Sequence, residues 1–519
     1  MKYFVDNRGD AAAAGIRDTL QPSKRKFLVL AKTPPLLTDL KTKNPGGLQP
    51  LSINLLGVQP SKPLLEKDSA RFIYEIDTDA ELETDPFKLA LTIKNANDFL
   101  HVFPGIVASD KSISFADYRE LLVSLNNDNA INRARLAKDY NLLLIDRDQI
   151  GGVCLYKCDK EIVPNIFLAM DGDSRIKFAE PNYIGMDDDA ELVNNVTDQK
   201  PVEFENYWAH QLTNIAKLNN RTFGEGITIA IIDSRIDSTH KDLSDAIVGS
   251  VEQFDFCPGF VNPYAESHGT QAASVALSRH PLSADLCLGI APKAKLLPIS
   301  VVLGKSDGLL SRIKALNLCS DIARKKSIDN KKLKSITSIN KLIVNCSWQI
   351  QFAQIPMAFE EAFNSLAKCE VIITCSSGND GKRNFPHYPS DLNNTISVAA
   401  VIEGDRIAEY SNINDKVNLC APGGDLNIKN GRGGIITALN GGGHAYASGT
   451  SFASPYAAGM AAYLWSKLPT LKASEIKQLI LTSCVSEISL VNPELHDLLK
   501  AGRVDADRIV LAVQQALIH

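Results

Sequence analysis

The chain is predicted to be an α/β protein. A doubly wound, mainly parallel sheet is preceded by a small α+β domain and, before that, an N-terminal β-rich module. Three observations predict this. After Trp208, apolar runs of strand length alternate with helix-compatible segments through to the C-terminus. The first run, Ile227-Thr228-Ile229-Ala230-Ile231-Ile232, is apolar almost throughout, as a strand buried on both faces must be. It ends at Asp233, at the carboxyl edge where open α/β sheets form their ligand crevice.

A chain of 519 residues is too long for one ordinary core. We divide it into a β-rich module over 1–100, a small domain over 101–186, a linker over 187–204 and the α/β domain over 205–519. In the first module, Phe27–Leu30, Arg71–Ile76 and Phe87–Ile93 read as strands between Pro and Gly punctuators. The second opens with a strand at His101-Val102-Phe103 and Ile106-Val107. A helix over Asn129–Tyr140 follows, then strands Asn141–Ile145 and Val153–Tyr156. A helix over Val163–Met170 and a strand over Ile176–Ala179 complete it. That is the split β-α-β-β-α-β order. The acidic run Asp187-Asp188-Asp189-Ala190-Glu191 reads as exposed linker.

In the α/β domain, Ile227–Asp233 is followed by a helix over Gly269–Leu277, a strand over Leu296–Leu303 and a helix over Leu309–Lys325. Strands Lys341–Cys346, Val371–Cys375 and Ile396–Val401 come next, with a helix over Phe359–Ala367 between the first two. Helices over Ser451–Lys467, Ala473–Ser483 and Val504–Ile518 close the chain. The basic stretch Arg324–Lys341 reads as a solvated surface segment.

Composition narrows the function classes. At 45% hydrophobic and 22% charged, the chain has the make-up of soluble globular proteins. A net charge of −5 leaves no basic excess to meet phosphates, which argues against a nucleic-acid partner. No apolar run is long enough to span a bilayer, and residues 1–10 lack the apolar core of a Sec signal peptide. The ten cysteines form no CxxC pair, and Cys346, Cys375 and Cys420 fall in or beside core strands. Buried free thiols, and hence a reducing cytoplasmic setting, are expected.

Four positions carry chemistry. Gly449-Thr450-Ser451-Phe452-Ala453-Ser454-Pro455 delivers Ser451 to the first turn of an apolar helix, beside N–H groups that can hold an oxyanion. Alone, Ser451 is an ordinary N-cap. His268, in Ser267-His268-Gly269-Thr270, begins a helix and alone is as well read as a capping residue. Asn379, in Ser376-Ser377-Gly378-Asn379, follows a strand and alone is a turn residue. Asp233 needs a partner, because a lone buried carboxylate is costly. Together they form an Asp-His-Ser set with an amide donor.

Their order resembles that of the subtilisin-like serine proteases, the subtilase family (peptidase S8), over about 205–519. The resemblance rests on Ile231-Ile232-Asp233-Ser234, His240-Lys241-Asp242-Leu243, Ser267-His268-Gly269-Thr270, Ser377-Gly378-Asn379 and Gly449–Pro455. It implies that Asp233, His268 and Ser451 form the catalytic triad and that Asn379 is the oxyanion donor. It also implies that Ser347-Trp348-Gln349 and Ser376-Ser377-Gly378 flank a polypeptide substrate as added strands, with Trp348 lining or partly filling a subsite. Residues 101–186, ending near Glu180-Pro181-Asn182, resemble the family's inhibitory propeptide. The protein would then be a zymogen partnered by its own propeptide-like domain and cut between about 183 and 205. No cofactor is required; Asp242 matches a calcium ligand of some relatives, which makes calcium an optional ion.

Departures from the family pattern are Arg235 after Asp233-Ser234, Gln271 and Ser274 on the histidine helix, and Tyr456 after the Ser-Pro. Arg235 could compete with His268 for the carboxylate, or could point to solvent. The resemblance therefore leaves three readings: a serine endopeptidase, a catalytically inactive binding protein of the same fold, and a peptide ligase or macrocyclase that resolves the acyl-enzyme with an amine.

Overall fold

The computed structural model of the chain describes the backbone of Val5–Asp6, Gln21–Ala31, Pro50–Gln59, Arg71–Thr78 and His101–Val107. It also describes residues 113–158, 164–184, 202–258, 267–303, 309–324, 336, 339–350, 355–428, 431–499 and 501–518. The expected strand Phe87–Ile93, most of the linker and most of the basic segment after Arg324 lie outside the described residues. Two compact units are formed. The first comprises Met1–Met186, Gly304–Lys314 and Gln351–Ala362; the second comprises Asp187–Leu303, Ala315–Ile350 and Phe363–His519.

The first unit holds strands β1 (Val5–Asp6), β2 (Gln21–Ala31), β3 (Pro50–Gln59), β4 (Arg71–Thr78), β5 (His101–Val107), β6 (Ile113–Leu125), β7 (Leu142–Arg147), β8 (Val153–Cys158) and β9 (Ile176–Ile184). They form one sheet in the order β1-β9-β6-β5-β2-β4-β3, with β8 also on β6 and β7 on β8. The split order is present, and its first strand is β6, not the expected 101–107. That earlier segment pairs with β2, and at its end with Ile113 and Ser114 of β6. The run Asp117-Tyr118-Arg119-Glu120 hides β6 in the sequence. In the fold one of its carboxylates finds a partner across the sheet: Asn182 Nδ2 donates to Glu120 Oε2 at 3.0 Å. The apolar half, Leu121-Leu122-Val123, pairs with both β8 and β9 and is fully buried.

The helix Ala130–Asp139 starts where expected, because Asn129 Oδ1 accepts from the backbone N–H of Asn132 at 2.9 Å. Its Leu136 is buried, as are Phe167 and Met170 of the helix Pro164–Met170.

The second unit is built on β10 (Thr228–Asp233), β11 (Lys295–Ser300), β12 (Leu342–Cys346), β13 (Val371–Ser376), β14 (Thr395–Val401), β15 (Leu419–Pro422), β16 (Ile435–Ala438), β17 (His444–Ala447), β18 (Cys484–Val485) and β19 (Arg503–Val504). The sheet order is β11-β10-β12-β13-β14-β15-β19-β18, parallel except for β18 against β19. Both faces are covered. Along β14, Ile396, Val398 and Ala400 enter one apolar cluster, while Ala399 and Val401 enter another. This two-sided burial is why the strands read as continuous apolar runs. The order reverses at β10, whose neighbours are β11 and β12, so the crevice for a ligand opens past the carboxyl ends of β10 and β12.

The helix Thr450–Lys467 is buried from Thr450 to Trp465. Such a helix must be narrow, and Ala453, Ser454, Ala457, Ala458, Gly459, Ala461 and Ala462 make it so. Elements not anticipated in this unit include the four-residue strand β15, the antiparallel hairpin β16–β17, the two-residue strands β18 and β19, and the short helix Trp208–Leu212. All ten cysteines are unpaired, and Cys346, Cys375 and Cys420 are buried in β12, β13 and β15. Among the described residues, no helix is long and apolar enough to cross a membrane.

Candidate active site

All six residues of β10 are buried, and the last of them is Asp233. Its Oδ1 accepts two hydrogen bonds of 2.7 Å, one from the backbone N–H of Ser234 and one from His268 Nδ1. His268 opens the helix His268–Leu277. The helix start can reach the strand end only because the next residue is glycine. A Cβ at Gly269 would lie 2.1 Å from the Ser234 carbonyl oxygen, while the Gly269 N–H donates to Ser234 Oγ at 2.9 Å. With Nδ1 donating to the carboxylate, Nε2 carries the lone pair. Among the described residues, neither His268 Nε2 nor Asp233 Oδ2 has a hydrogen-bond partner, and both are buried.

Ser451 sits in the first turn of the helix Thr450–Lys467, behind Gly449 at φ 150° and ψ 155°, a backbone shape that glycine alone adopts readily. Pro455 lies one turn further on and has no N–H to give to the Ser451 carbonyl. Ser347 fills the gap, its Oγ donating to Ser451 O at 2.7 Å. In return Ser451 Oγ donates to Ser347 O at 3.1 Å. The structure therefore joins Asp233 to His268 but makes no hydrogen bond between His268 and Ser451. The two are close all the same: the rings of His268 and Phe452, the residue after Ser451, have centroids 5.8 Å apart.

Asn379 follows β13. Its Oδ1 accepts from Thr450 N and Thr450 Oγ1, each at 2.8 Å. Two donors on the oxygen fix the orientation of the carboxamide and leave Nδ2 as the outward donor. Thr450 Oγ1 also accepts from Gly378 N at 3.1 Å, which ties the turn to the serine helix. Sequence reading passed over this threonine; the only signal for it was its place beside Ser451.

The flanking segments turn their side chains inward. Trp348 is 4% exposed and donates from Nε1 to Ile232 O at 2.8 Å. Gln349 Nε2 donates to Asp380 Oδ2 at 3.1 Å, and Ser377 Oγ to Asn412 O at 2.9 Å. Ser347 and Ser376 are buried as well. What these segments and Gly378 could offer an extended peptide is their backbone.

Arg235 is exposed and turned away from the site. Its guanidinium lies 3.2 Å from Glu252 and 3.5 Å from Asp255. The other departures serve as internal ties. Gln271 Nε2 donates to Thr437 Oγ1 at 3.1 Å, and Ser274 Oγ accepts from Ala438 N at 2.9 Å, so both hold the β16–β17 hairpin. Tyr456 OH lies 2.6 Å from Thr213 Oγ1 and 3.1 Å from Ala209 O.

Asp242 is buried among histidines. Its Oδ2 is 2.8 Å from His444 Nε2 and accepts from Ser278 Oγ at 2.9 Å. Burial pushes the carboxyl pKa up, but the hydrogen bonds from His444 and Ser278 outweigh burial and hold it below the ordinary value. Calcium takes roughly six to eight oxygens. The described shell here is a carboxylate, a hydroxyl and imidazoles, which does not fit it.

The subtilase family profile matches residues 224–505, more than half of the chain. The chain is 26% identical over 309 residues to a thermophilic serine proteinase of Bacillus sp. (strain AK1), across 59% of this chain and 67% of that protein. It is 28% identical over 283 residues to an intracellular serine protease of Paenibacillus polymyxa, across 53% and 74%. Among solved structures, it is similar in fold to the epidermin leader peptide processing serine protease of Staphylococcus aureus. The TM-score is 0.57 at 19% identity, over 76% of this chain and 98% of the other.

Proposed function

The chain belongs to the subtilase family, and from that premise we propose that it is a serine endopeptidase made as an autoinhibited zymogen. The observation that carries the reading is the 2.7 Å hydrogen bond from His268 Nδ1 to Asp233 Oδ1. It leaves Nε2 as a base beside the helix start that bears Ser451.

In the working state the Ser451 hydroxyl leaves the Ser347 carbonyl and donates to His268 Nε2. Ser451 Oγ attacks the carbonyl carbon of a substrate peptide bond as His268 takes its proton. Asp233, fixed by Ser234 N, keeps the imidazole in the right tautomer and balances its positive charge. Asn379 Nδ2 and the Ser451 N–H bind the oxyanion, and His268 gives its proton to the departing amine. Water, deprotonated by His268, attacks the acyl-enzyme; Ser451 is released with its proton restored and the new carboxylate departs. Arg235, paired with Glu252 and Asp255, leaves the carboxylate to His268. That removes the main support for an inactive binding protein.

The propeptide role of residues 113–184 is supported by their split order and by Glu180. Within the first unit its carboxylate accepts from Met357 N at 2.7 Å and Ala358 N at 2.8 Å, at the start of the helix Met357–Ala367. The fold likeness to the epidermin protease also covers more of the chain than residues 224–505. Ten unpaired cysteines favour a reducing, cytoplasmic setting.

The test is intact-mass analysis of the purified full-length chain over time, wild type against Ser451→Ala. Wild type is expected to cut itself between about 183 and 205 and then to react with a fluorophosphonate probe; Ser451→Ala should do neither. Equal processing by both chains, or processed wild type that takes no label, overturns the proposal.

A further inference from the structure

We propose that His240, Asp242 and His444, completed by His280, form a binding site for a first-row transition cation of the zinc class. The first three are buried or nearly so, and each offers a ligand atom within 4.8 Å of the other two. Around the Asp242 carboxylate, His444 Nε2 lies at 2.8 Å, His280 Nδ1 at 3.7 Å and His240 Nδ1 at 4.0 Å. In a tetrahedral zinc site, with bonds near 2 Å, ligand atoms stand roughly 3.3 Å apart. The His444 spacing, to Oδ2, lies below that value and the His280 and His240 spacings, to Oδ1, lie above it, so the two latter rings must move in to close the shell.

The tautomer of His240 keeps its lone pair on Nδ1, which a cation would take over from the Asp242 N–H. Its Nε2 faces the carbonyl oxygen of Gly443 at 3.3 Å, and its Nδ1 accepts from the backbone N–H of Asp242 at 3.2 Å. Nε2 therefore carries the proton and Nδ1 the lone pair, with the carbonyl fixing the ring as an outer partner does in metal sites. Ser278 Oγ similarly anchors Asp242 Oδ2. The ring of Phe204 covers the cluster from one side, 4.5 Å from His280 and 5.2 Å from His444 between centroids. Three imidazoles and one carboxylate select zinc, cobalt, nickel or copper over calcium.

The placement gives the ion a structural task. His240 and Asp242 follow the strand that ends in Asp233, and His280 follows the helix that begins with His268. His444 opens β17, which leads to Gly449 and Ser451. One ion would tie the three chain segments that carry those residues. Its existence does not depend on the triad's chemistry, so the test reads binding and melting rather than hydrolysis.

The tag-free full-length chain is dialysed against zinc and then against metal-free buffer, and its metal content is measured. About one equivalent of zinc should remain, and saturating zinc should raise the thermal midpoint by roughly 5–10 °C. Cobalt(II) should give the strong visible absorption of a tetrahedral site, a readout on wild type that needs no variant to fold. The conservative variant His444→Gln should bind zinc at least about tenfold more weakly, while His496→Gln, at an exposed histidine outside the cluster, should bind as wild type does. Three outcomes overturn the proposal. Wild type could retain no zinc and show no shift. The combined variant His240→Ala/His280→Ala/His444→Ala could bind zinc as tightly as wild type. Calcium could raise the midpoint where zinc does not.

Discussion

The oxyanion assignment can be tested by perturbing the residue that aims Asn379 as well as Asn379 itself. Asn379→Ala removes the side-chain donor, and one such donor is worth roughly a hundred- to a thousandfold in kcat. Thr450→Val is the sharper probe. The hydroxyl it deletes makes one of the two 2.8 Å hydrogen bonds on Asn379 Oδ1, and it also accepts from Gly378 N at 3.1 Å. Gly378 N would be left without its partner in a buried turn, at a cost of about 1–3 kcal/mol in stability. The carboxamide would keep only the Thr450 backbone N–H to orient it. If the lost bond contributes about 1 kcal/mol to that orientation, kcat falls about fivefold. Because the oxyanion exists only along the reaction path, KM should stay near the wild-type value. Thr450→Ser keeps the hydroxyl and should restore kcat. The assay is steady-state hydrolysis of a fluorogenic peptide by the processed enzyme, with kcat and KM separated. An Asn379→Ala enzyme with wild-type kcat and a raised KM would show that Asn379 binds ground state and transition state alike. The oxyanion reasoning would then fail.

Three further outcomes follow from buried groups. Ser347→Ala removes the hydroxyl that replaces the N–H missing at Pro455; orphaning the Ser451 carbonyl should cost about 1–3 kcal/mol, read as a lower thermal midpoint in the Ser451→Ala background. An unchanged midpoint would refute that account. Burial pushes the His210 pKa from 6.5 down to about 4, so the unfolded chain binds the extra proton between those values and stability falls as pH drops through that window. At pH 5 the penalty is about 2 kcal/mol; chemical denaturation of wild type and His210→Gln at pH 7 and pH 5 should show a smaller loss in the variant, and equal losses would count against it. Glu180→Ala deletes two charge-assisted hydrogen bonds on the start of the helix Met357–Ala367, so the lag before peptidase activity appears should shorten, and an unaltered lag would separate Glu180 from inhibition.

Legibility in the sequence followed the cause of each element. The strands β10, β12, β13 and β14 are apolar because both sheet faces are covered, and that requirement is written residue by residue. The helix Ala130–Asp139 was legible to its caps because Asn129 supplies the capping oxygen locally. By contrast, β6 was hidden because Glu120 in its polar middle finds its partner in Asn182, 62 residues away. Short β15 and the β16–β17 hairpin have four residues per strand, too few for a period to declare itself. Their places are set by the sheet neighbour β14 and by Gln271 and Ser274 on the histidine helix.

The same distinction between local and distant causes governs the site. Asp233, His268, Asn379 and Ser451 stand at strand and helix ends, and element ends can be read from the chain. The surroundings of Asp242 cannot: Ser278 and His444 reach it from 36 and 202 residues away. Arg235 shows what a local reading leaves open. Two residues past Asp233, it would share a face with the carboxylate if the strand ran on, since strand side chains alternate. Its nearness to Asp233 in the chain is why it read as a rival to His268. But β10 stops at Asp233, where Ser234 N caps the carboxylate and Ser234 Oγ takes the N–H of Gly269. The chain turns there, and Arg235 leaves the strand's alternation for Glu252 and Asp255. The strand end that presents the acid to the histidine is thus also what removes the cation from it.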